Sequence, residues 1–191
     1  MPLLTTRSSR GYGFGLASTS IAGDYESIQS FRISNSTTTS FDFTSIPGTY
    51  KHLQIRLFGQ GLTADDAIMK INNDSSSNYS WHEIRGNRSA AGVSGSANIT
   101  GYSYIGRIPA ASSGASYFGS LICNIPDYAS TVRPKMFYSE IAGVDYSSGG
   151  VVGTMSGYYP STSAITRLTI TLQSGYWSPF SECGLYGLKG N

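Results

Sequence analysis

The stretch IPGTYKHLQIRLFGQ, residues 46–60, carries the clearest folding signal in this sequence. A Pro-Gly turn dipeptide opens it, and the residues that follow alternate between polar and apolar. Leu53, Ile55 and Leu57 recur with a period of two, which indicates a β-strand with one face turned toward a core. His52 stands at the start of this strand. It is therefore either the base of an active site or a polar residue at the rim of a sheet.

Runs of the same kind recur along most of the chain, each bounded by Gly, Pro, Asn or Ser. In the run at 164–172, Leu168, Ile170 and Leu172 share one face and polar residues occupy the other. No window of helical length shows a 3.6-residue period with capping residues, so we expect helices to be few and short. The sequence predicts an all-β fold, a jelly roll or β-sandwich of about 8–11 short antiparallel strands. The candidate strands are SIQSFRI, TSFDFTSI, KHLQIRLF, AIMKI, YSWHEI, TGYSYIGRI, SYFGSLICNI, PKMFYSEI, GVVGTM, AITRLTITL and ECGLYGL.

Composition favours one all-β domain. The 191 residues are 39% hydrophobic and 13% aromatic, which is enough for a core without disulfides or metals, and they include 23 glycines and 14 tyrosines. Charged residues make up 13%, about half the share of an average soluble domain. Thirteen basic and eleven acidic residues are scattered along the chain and leave a net charge of +2. No basic stripe is available for a nucleic-acid backbone, so we expect no nucleic-acid partner.

The cysteines and the apolar segments bear on the compartment. Cys123 and Cys183 lie in apolar, strand-like runs, which favours buried free thiols over a disulfide between neighbouring strands. The chain shows no apolar stretch of signal-peptide length, and no segment approaches the ~20 residues of a membrane span. We expect a soluble protein made in the cytoplasm, with no membrane partner.

Motifs for catalysis do not occur in the sequence. A hydrolytic triad needs an imidazole base, and the two histidines, His52 and His82, sit in no diagnostic pattern. The sequence contains no G-x-S-x-G elbow, H-E-x-x-H pair, C-x-x-C pair or phosphate-binding G-x-x-x-x-G-K-[ST] loop. We therefore expect no enzyme, no catalytic residue and no cofactor.

The segment NNDSSSNYSWHE, residues 72–83, is the candidate cation site. Its oxygen donors follow the spacing of an EF-hand loop. Ser77, however, stands where that loop needs glycine, and the flanking segments are strands rather than helices. A polar hairpin loop whose Asn and Ser side chains cap the backbone is the favoured interpretation, and no metal is expected. The candidate donors are Asn72, Asp74, Ser76, Asn78 and Glu83.

Aromatic side chains are the other chemical resource of the chain. They could form a platform that stacks on carbohydrate, or they could anchor a protein interface with large contact areas at low entropy cost. The interface interpretation is favoured, because sugar sites also present several carboxylates and this chain has few. The aromatic surface predicted in the C-terminal part comprises Tyr158, Tyr159, Tyr176 and Trp177.

Residues 1–26 are predicted to form an extended N-terminal arm ahead of a β-domain at 27–191. In the tract GYGFGL, glycines alternate with large apolar residues, so an extended strand would have one apolar face and one bare face. Such a strand suits pairing with the sheet edge of a partner subunit, where arginines can add charge-assisted contacts. An ordinary first strand of the domain is the alternative. The interface residues predicted for the arm are Arg7, Arg10, Tyr12, Phe14 and Leu16.

An ordered set of motifs resembles a known family. The motifs are YESI, SIPGTYKHLQIR, INNDSSSNYSWHEIRGN, ICNIPDYAS, IAGVDYSSGGVV, STSAITRLTI and CGLYGLKG, and they extend from Tyr25 to Gly190. Together they resemble virion structural proteins of tailed bacteriophages, of the capsid-decoration or tail-fibre type, from marine and freshwater phages. The chain departs from the family at residues 74–77, where Asp-Ser-Ser-Ser replaces a loop that usually contains glycine.

The resemblance implies a structural role in the virion, with assembly in the host cytoplasm and no enzyme site. The expected function is that of a capsid decoration or cement protein, acting through contacts with other capsid or tail subunits. A tail-associated appendage that binds a receptor or a carbohydrate is the alternative. We expect a symmetric homo-oligomer such as a trimer. His52 is then a turn or rim residue.

Overall fold

Alternating apolar residues form the strands of this protein. The computed structural model describes residues 24–63, 65–88, 90–114, 116–143 and 150–190. These residues form twelve β-strands and one 3₁₀ turn, Ala111–Ser113, which confirms the all-β class. The strands are β1 (Tyr25–Arg32), β2 (Ser40–Phe43), β3 (His52–Gly59), β4 (Asp65–Ile71), β5 (Ser77–Asn87), β6 (Ala91–Thr100), β7 (Ser103–Ile108), β8 (Gly119–Pro126), β9 (Lys135–Gly143), β10 (Val151–Tyr159), β11 (Leu168–Leu172) and β12 (Glu182–Leu188).

Two antiparallel sheets make a sandwich with jelly-roll connectivity. One sheet has eight strands in the order β1-β12-β3-β8-β9-β10-β5-β6, and the other has four in the order β2-β11-β4-β7. Without the β5–β6 and β9–β10 hairpins, each sheet has four strands, and β1 pairs with β12, β2 with β11, β3 with β8 and β4 with β7. This is the folded-over ribbon of a double Greek key. The two hairpins widen one sheet from four strands to eight.

The core lies between the facing sides of the two sheets. On β3, Leu53, Ile55 and Leu57 are buried while the alternate positions face outward, as the period-two pattern predicts. The four-stranded sheet supplies the opposite layer. Each fully buried apolar side chain contributes roughly 1.5–3 kcal/mol to folding relative to an exposed one. The buried side chains of the four-stranded sheet include Phe41, Phe43, Met69, Ile71, Leu168 and Ile170.

The sequence did not predict β6. Its residues, AGVSGSANIT, are small or polar, and nearly all are exposed on both faces. The strand forms because a tight hairpin after β5 places it in register, with Val93 opposite Ile84 and Ser96 opposite Trp81. Asn87 closes that hairpin by exchanging backbone and side-chain hydrogen bonds with Ala90, at 2.8 Å each. Hairpin geometry, rather than burial, therefore creates this strand.

The first strand begins earlier than predicted. Tyr25 and Glu26, assigned from sequence to the arm, pair with Leu188 and Gly187 of β12. Residues 1–23 lie outside the described residues, and so do Arg7, Arg10, Tyr12, Phe14 and Leu16 of the predicted arm interface.

Both cysteines are buried free thiols, which confirms the favoured interpretation. Cys123 lies opposite Ile55 and Cys183 opposite Leu57, so the two residues flank β3 on separate strands. Burial raises the pKa of Cys123 to about 12 and also raises the pKa of Cys183. Both thiols therefore stay protonated and unreactive near neutral pH.

A buried lysine closes the rim of the sandwich where β9 begins. The Lys135 side chain is buried, and its ammonium donates to the carbonyl oxygens of Ser130 at 2.7 Å, Arg133 at 2.8 Å and Thr162 at 3.1 Å. Burial lowers the pKa of Lys135, and the Asp127 carboxylate opposes that effect. Three donors meet three carbonyls, so the ammonium joins the loops before β9 and after β10.

Lys135→Met is expected to lower the free energy of unfolding by about 2–4 kcal/mol, because three carbonyl oxygens lose the charged donor of a buried side chain. Lys51→Met on the same rim is the control. The Lys51 side chain is about half exposed and its ammonium pairs with Asp127 at 2.9 Å, so its loss should cost about 1 kcal/mol or less. Urea denaturation of both variants tests this, and equal losses would contradict the role given to Lys135.

Candidate interaction surface

The outer face of the eight-stranded sheet is a broad surface that the four-stranded sheet leaves uncovered. The four-stranded sheet packs on its inner face, and within the described ranges no element covers the outer one. Outward positions on a solvated sheet face are usually polar. Here six large apolar side chains at such positions are between 51% and 81% exposed: Phe58, Ile84, Val93, Met136, Tyr138 and Val152.

Strand register brings part of this set together. Ile84 lies opposite Val93 of β6 on one side and opposite Thr154 of β10 on the other. Val152, two residues before Thr154 and on the same face, is a diagonal neighbour of Ile84. These three residues form an apolar patch that spans β10, β5 and β6. An exposed apolar patch on a sheet face is typical of a surface that contacts another molecule.

A polar and aromatic cluster occupies the other half of the same face. The rings of Tyr25 and Tyr186 stack with centroids 5.0 Å apart, and the Arg56 guanidinium lies 5.0 Å and 5.6 Å from these two rings. The Gln54 side-chain oxygen accepts from the Tyr25 hydroxyl at 2.7 Å and from Arg56 Nε at 2.9 Å. Gln54 Nε2 then donates to Asn124 Oδ1 at 2.8 Å. Side chains held this way lose little further entropy on binding.

Phe58 divides the outer face into two shallow grooves. Its ring stacks on Phe118 at 5.1 Å, and about half of its surface is exposed. A groove of about 700 Å³ lies on the side of Arg56, Ile122 and Tyr186. A second, of about 590 Å³, lies on the side of Val152. Phe58 is thus the ridge between an aromatic, polar groove and an apolar one.

The aromatic platform predicted from sequence is wrong as a single surface. Tyr158 and Tyr176 are exposed, whereas Tyr159 and Trp177 are buried. Tyr159 stacks on Tyr79 at 4.8 Å, and Trp177 packs on Phe41 at 5.0 Å.

The two exposed tyrosines also lie at opposite ends of the sandwich. Tyr158 pairs with Met136 near the start of β9, whereas the Tyr176 carbonyl accepts from Leu62 beyond the end of β3. Alternation explains the burial: adjacent residues of an extended chain point to opposite sides, so neither Tyr158-Tyr159 nor Tyr176-Trp177 could present both rings to one surface.

The histidines lie at structural positions. His52 opens β3 at the sheet rim, where its Nδ1 accepts from the backbone N–H of Asp127 at 3.1 Å. His82 is exposed on β5 opposite Gly95, and its ring fills the space that a side chain at Gly95 would need. Within the described ranges, no three His, Cys, Asp or Glu side chains lie close enough to hold a metal ion.

The loop at 72–78 is held by its own side chains. Asn72 Oδ1 accepts from the backbone N–H groups of Thr166 at 2.9 Å and Arg167 at 3.1 Å, which ties the loop to the start of β11. Asp74 accepts from the Ser76 backbone N–H at 2.8 Å and from the Tyr159 hydroxyl at 2.7 Å. The Ser76 and Tyr159 hydrogen bonds lower the pKa of Asp74 to about 2. These oxygens point to different partners, as in the polar hairpin interpretation.

Glu83, the last of the candidate cation ligands, is not available to bind a cation. It points inward from β5 and is completely buried, and its carboxylate pairs with Arg107 Nε of β7 at 3.0 Å. Arg85 lies 3.7 Å from the same carboxylate, and Arg107 also pairs with Asp66 at 3.2 Å. The group is an ion-pair network at the border of the core, and a carboxylate saturated in this way has no free oxygen to offer a ligand.

Sequence reasoning missed both the outer-face patch and the polar cluster. Gln54 and Arg56 could have been found, because they occupy the polar positions of the β3 alternation. Tyr25, Tyr186 and Asn124 reach them only through pairing between strands far apart in sequence.

Comparisons with known proteins give no family for this chain. No family model matches it, and no curated protein matches it. Among solved structures, the chain is similar at 13% identity to Eiger TNF from S. frugiperda, over 85% of this chain and 94% of that one, with a TM-score of 0.16. A likeness this weak carries no argument about fold or function. Among the described residues, no helix has the length and apolar character needed to cross a bilayer.

Asp74→Asn is expected to flatten the acid limb of the stability curve. The pKa of Asp74, about 2, lies below its usual value of 3.8. The carboxylate therefore contributes its full stabilisation above about pH 4, and this is lost as the pH falls through 2. Urea denaturation at pH 6, 4 and 2.5 measures the slope. Tyr159→Phe removes one donor and should give an intermediate slope, whereas an unchanged slope in Asp74→Asn would contradict the assignment.

Proposed function

We propose that this protein is a non-enzymatic structural subunit of a bacteriophage virion, a decoration or cement protein that binds the capsid through the outer face of its eight-stranded sheet. The observation that carries the proposal is the row of large apolar side chains on that face. A soluble subunit gains nothing from exposing Phe58, Ile84 and Val152 unless another surface covers them. The resemblance of the ordered motifs to phage virion proteins supports the choice of partner.

The chemistry of the polar residues is consistent with this role. Two candidate acids and bases have structural partners: the His52 imidazole accepts from the Asp127 N–H, and Glu83 is held by Arg107. Catalysis needs groups whose polar atoms are free to meet a substrate. A surface that works by contact needs area and shape, which the outer face offers.

A tail-associated appendage that binds a receptor or a carbohydrate is the second candidate. The observation that favours it is the cluster of Tyr25, Tyr186, Arg56, Gln54 and Asn124. It combines stacked rings with amide and guanidinium groups beside an open groove. Sugar-binding sites use this combination of aromatic faces and fixed polar groups.

Val152→Lys is expected to weaken binding to purified capsid shells by tenfold or more, because it places a charge within the apolar patch. Val132→Lys is the matched control, since Val132 is at least as exposed but lies in the loop before β9, away from the face. Cosedimentation with shells measures both. Equal binding by the two variants would overturn the use of this face.

The same samples separate the two candidates. Saturable binding of the wild type to host-surface polysaccharide but not to shells, lost in Arg56→Gln, would replace the cement function with the appendage function. Binding to shells that Arg56→Gln retains and Val152→Lys loses would support the cement function.

A further inference from the structure

The edges of a β-sheet carry unpaired backbone groups, and most edge strands of this sandwich are protected from pairing. Charged residues, bulges and short length are the usual protections. Strand β1 has charged Glu26 and Arg32 and a bulge between Ser27 and Gln29. Strand β2 has only four residues, and β7 has a bulge in its pairing with β4 and carries Arg107.

Strand β6 is less protected, because its pairing with β5 is irregular only beyond Ser96 and residues 91–96 form a regular edge. It is ten residues long, its sequence AGVSGSANIT contains no charged residue and no proline, and it is exposed on both faces along almost its whole length. It forms the outermost strand of the eight-stranded sheet. A long, neutral, uncovered edge of this kind is a template for another strand.

Register shows which backbone groups of β6 are available. Asn87 and Ala90 exchange a hydrogen bond in the hairpin, and bonded pairs alternate along an antiparallel ladder. The residues of β6 opposite Arg85 and Glu83, which are Gly92 and Ser94, therefore bond to β5. The residues that alternate with them, Ala91, Val93 and Gly95, direct their N–H and C=O groups away from the sheet. Their side-chain positions lie on the outer face.

The N-terminal tract GYGFGL has the pattern that this edge would accept. In an extended strand, Tyr12, Phe14 and Leu16 share one face and three glycines the other. With the aromatic face turned outward, these side chains would extend the apolar patch beside Val93, which is 81% exposed, and Ile84. Aromatic and β-branched residues are favourable neighbours across strands. The glycines would lie beside Gly92 and Ser94 on the other face.

Length decides whether the tract can reach the edge of its own subunit. Eight Cα steps separate Leu16 from Asp24, the first described residue, and they span at most about 29 Å. The chain enters at β1, and β6 is the opposite edge of the same sheet. Seven strand spacings and one more for an added strand come to about 38 Å. The tract therefore falls short of its own β6 but is free to meet that of a partner subunit.

We infer that residues 11–16 pair as an added strand with the β6 edge of a second copy of this chain. The contact is heterologous: the arm of one copy meets the sheet edge of the next. Such contacts form a ring when the rotation between copies closes. The inference deepens the proposed function by naming a contact between subunits, and it rests on that function only in supposing that the protein works as an assembly.

The test uses two full-length variants and their mixture. Val93→Pro removes an outward N–H while leaving the bonds to β5, since proline is tolerated where an edge N–H faces solvent. A variant with Tyr12→Ser, Phe14→Ser and Leu16→Ser removes the apolar face of the arm. Sedimentation velocity should show that the wild type associates and that each variant alone has an association constant at least tenfold lower. Val93→Thr keeps the N–H and the branched shape, so it should associate like the wild type.

Mixing gives the decisive result. The arm variant keeps an intact β6 edge and Val93→Pro keeps an intact arm, so an equimolar mixture should form a 1:1 heterodimer with one complete contact. Melting temperatures of both variants within a few degrees of the wild type would show that the folds are intact.

A wild type that stays monomeric, a mixture that stays monomeric, or an arm variant that still associates would overturn the inference. The last outcome would show that β6 edges pair with each other. The sedimentation experiment does not depend on binding to capsid shells, so this inference and the proposed function can fail separately.

Discussion

A mismatch in width between the two sheets governs this structure. Eight strands lie in one layer and four in the other, so the smaller sheet can cover only part of the inner face of the larger. The inward-facing side chains are buried from β12 to β9. On β5, the side chains of Tyr79 and Glu83 are buried as well. Burial ends at β6, which is exposed on both faces. The core, the apolar outer face and the open edge all follow from two hairpins added to one side of a jelly roll.

The polar network at the border of the core follows from the same mismatch. Where the four-stranded sheet ends, β7 faces β5 across the sandwich, and an apolar interior would meet water there. Glu83 and Arg107 occupy this place, with the carboxylate buried and the guanidinium partly exposed. Removing one partner of such a pair leaves a buried charge without compensation, so the pair fixes how the inserted hairpin sits on the sandwich.

The fold class could be read from the sequence, because alternation is a local property. The strands β3 and β11 alternate so regularly that no other structure fits them, and their buried residues are the ones predicted. Strand β6 could not be found this way, since it buries almost nothing and owes its existence to a hairpin. Lys135 could not be recognised either, because its three carbonyl partners come from two loops that only the fold brings together. The prediction that Tyr159 and Trp177 share an exposed surface with the tyrosines before them could have been avoided. Adjacent residues of an extended chain point to opposite sides.

The apolar patch and the open edge of β6 lie side by side, and this affects how an assembly could use them. Ile84 and Val93 belong to the apolar patch, and Val93 also belongs to the open edge. A strand added at that edge would widen the outer face by one row and cover one flank of Val93. The widened face would then offer a larger apolar area to whatever binds it, so the hydrophobic gain of the second contact would grow once the first is made. Contact between subunits and contact with a larger surface would in this way favour each other, through one strand that buries almost nothing in the isolated fold.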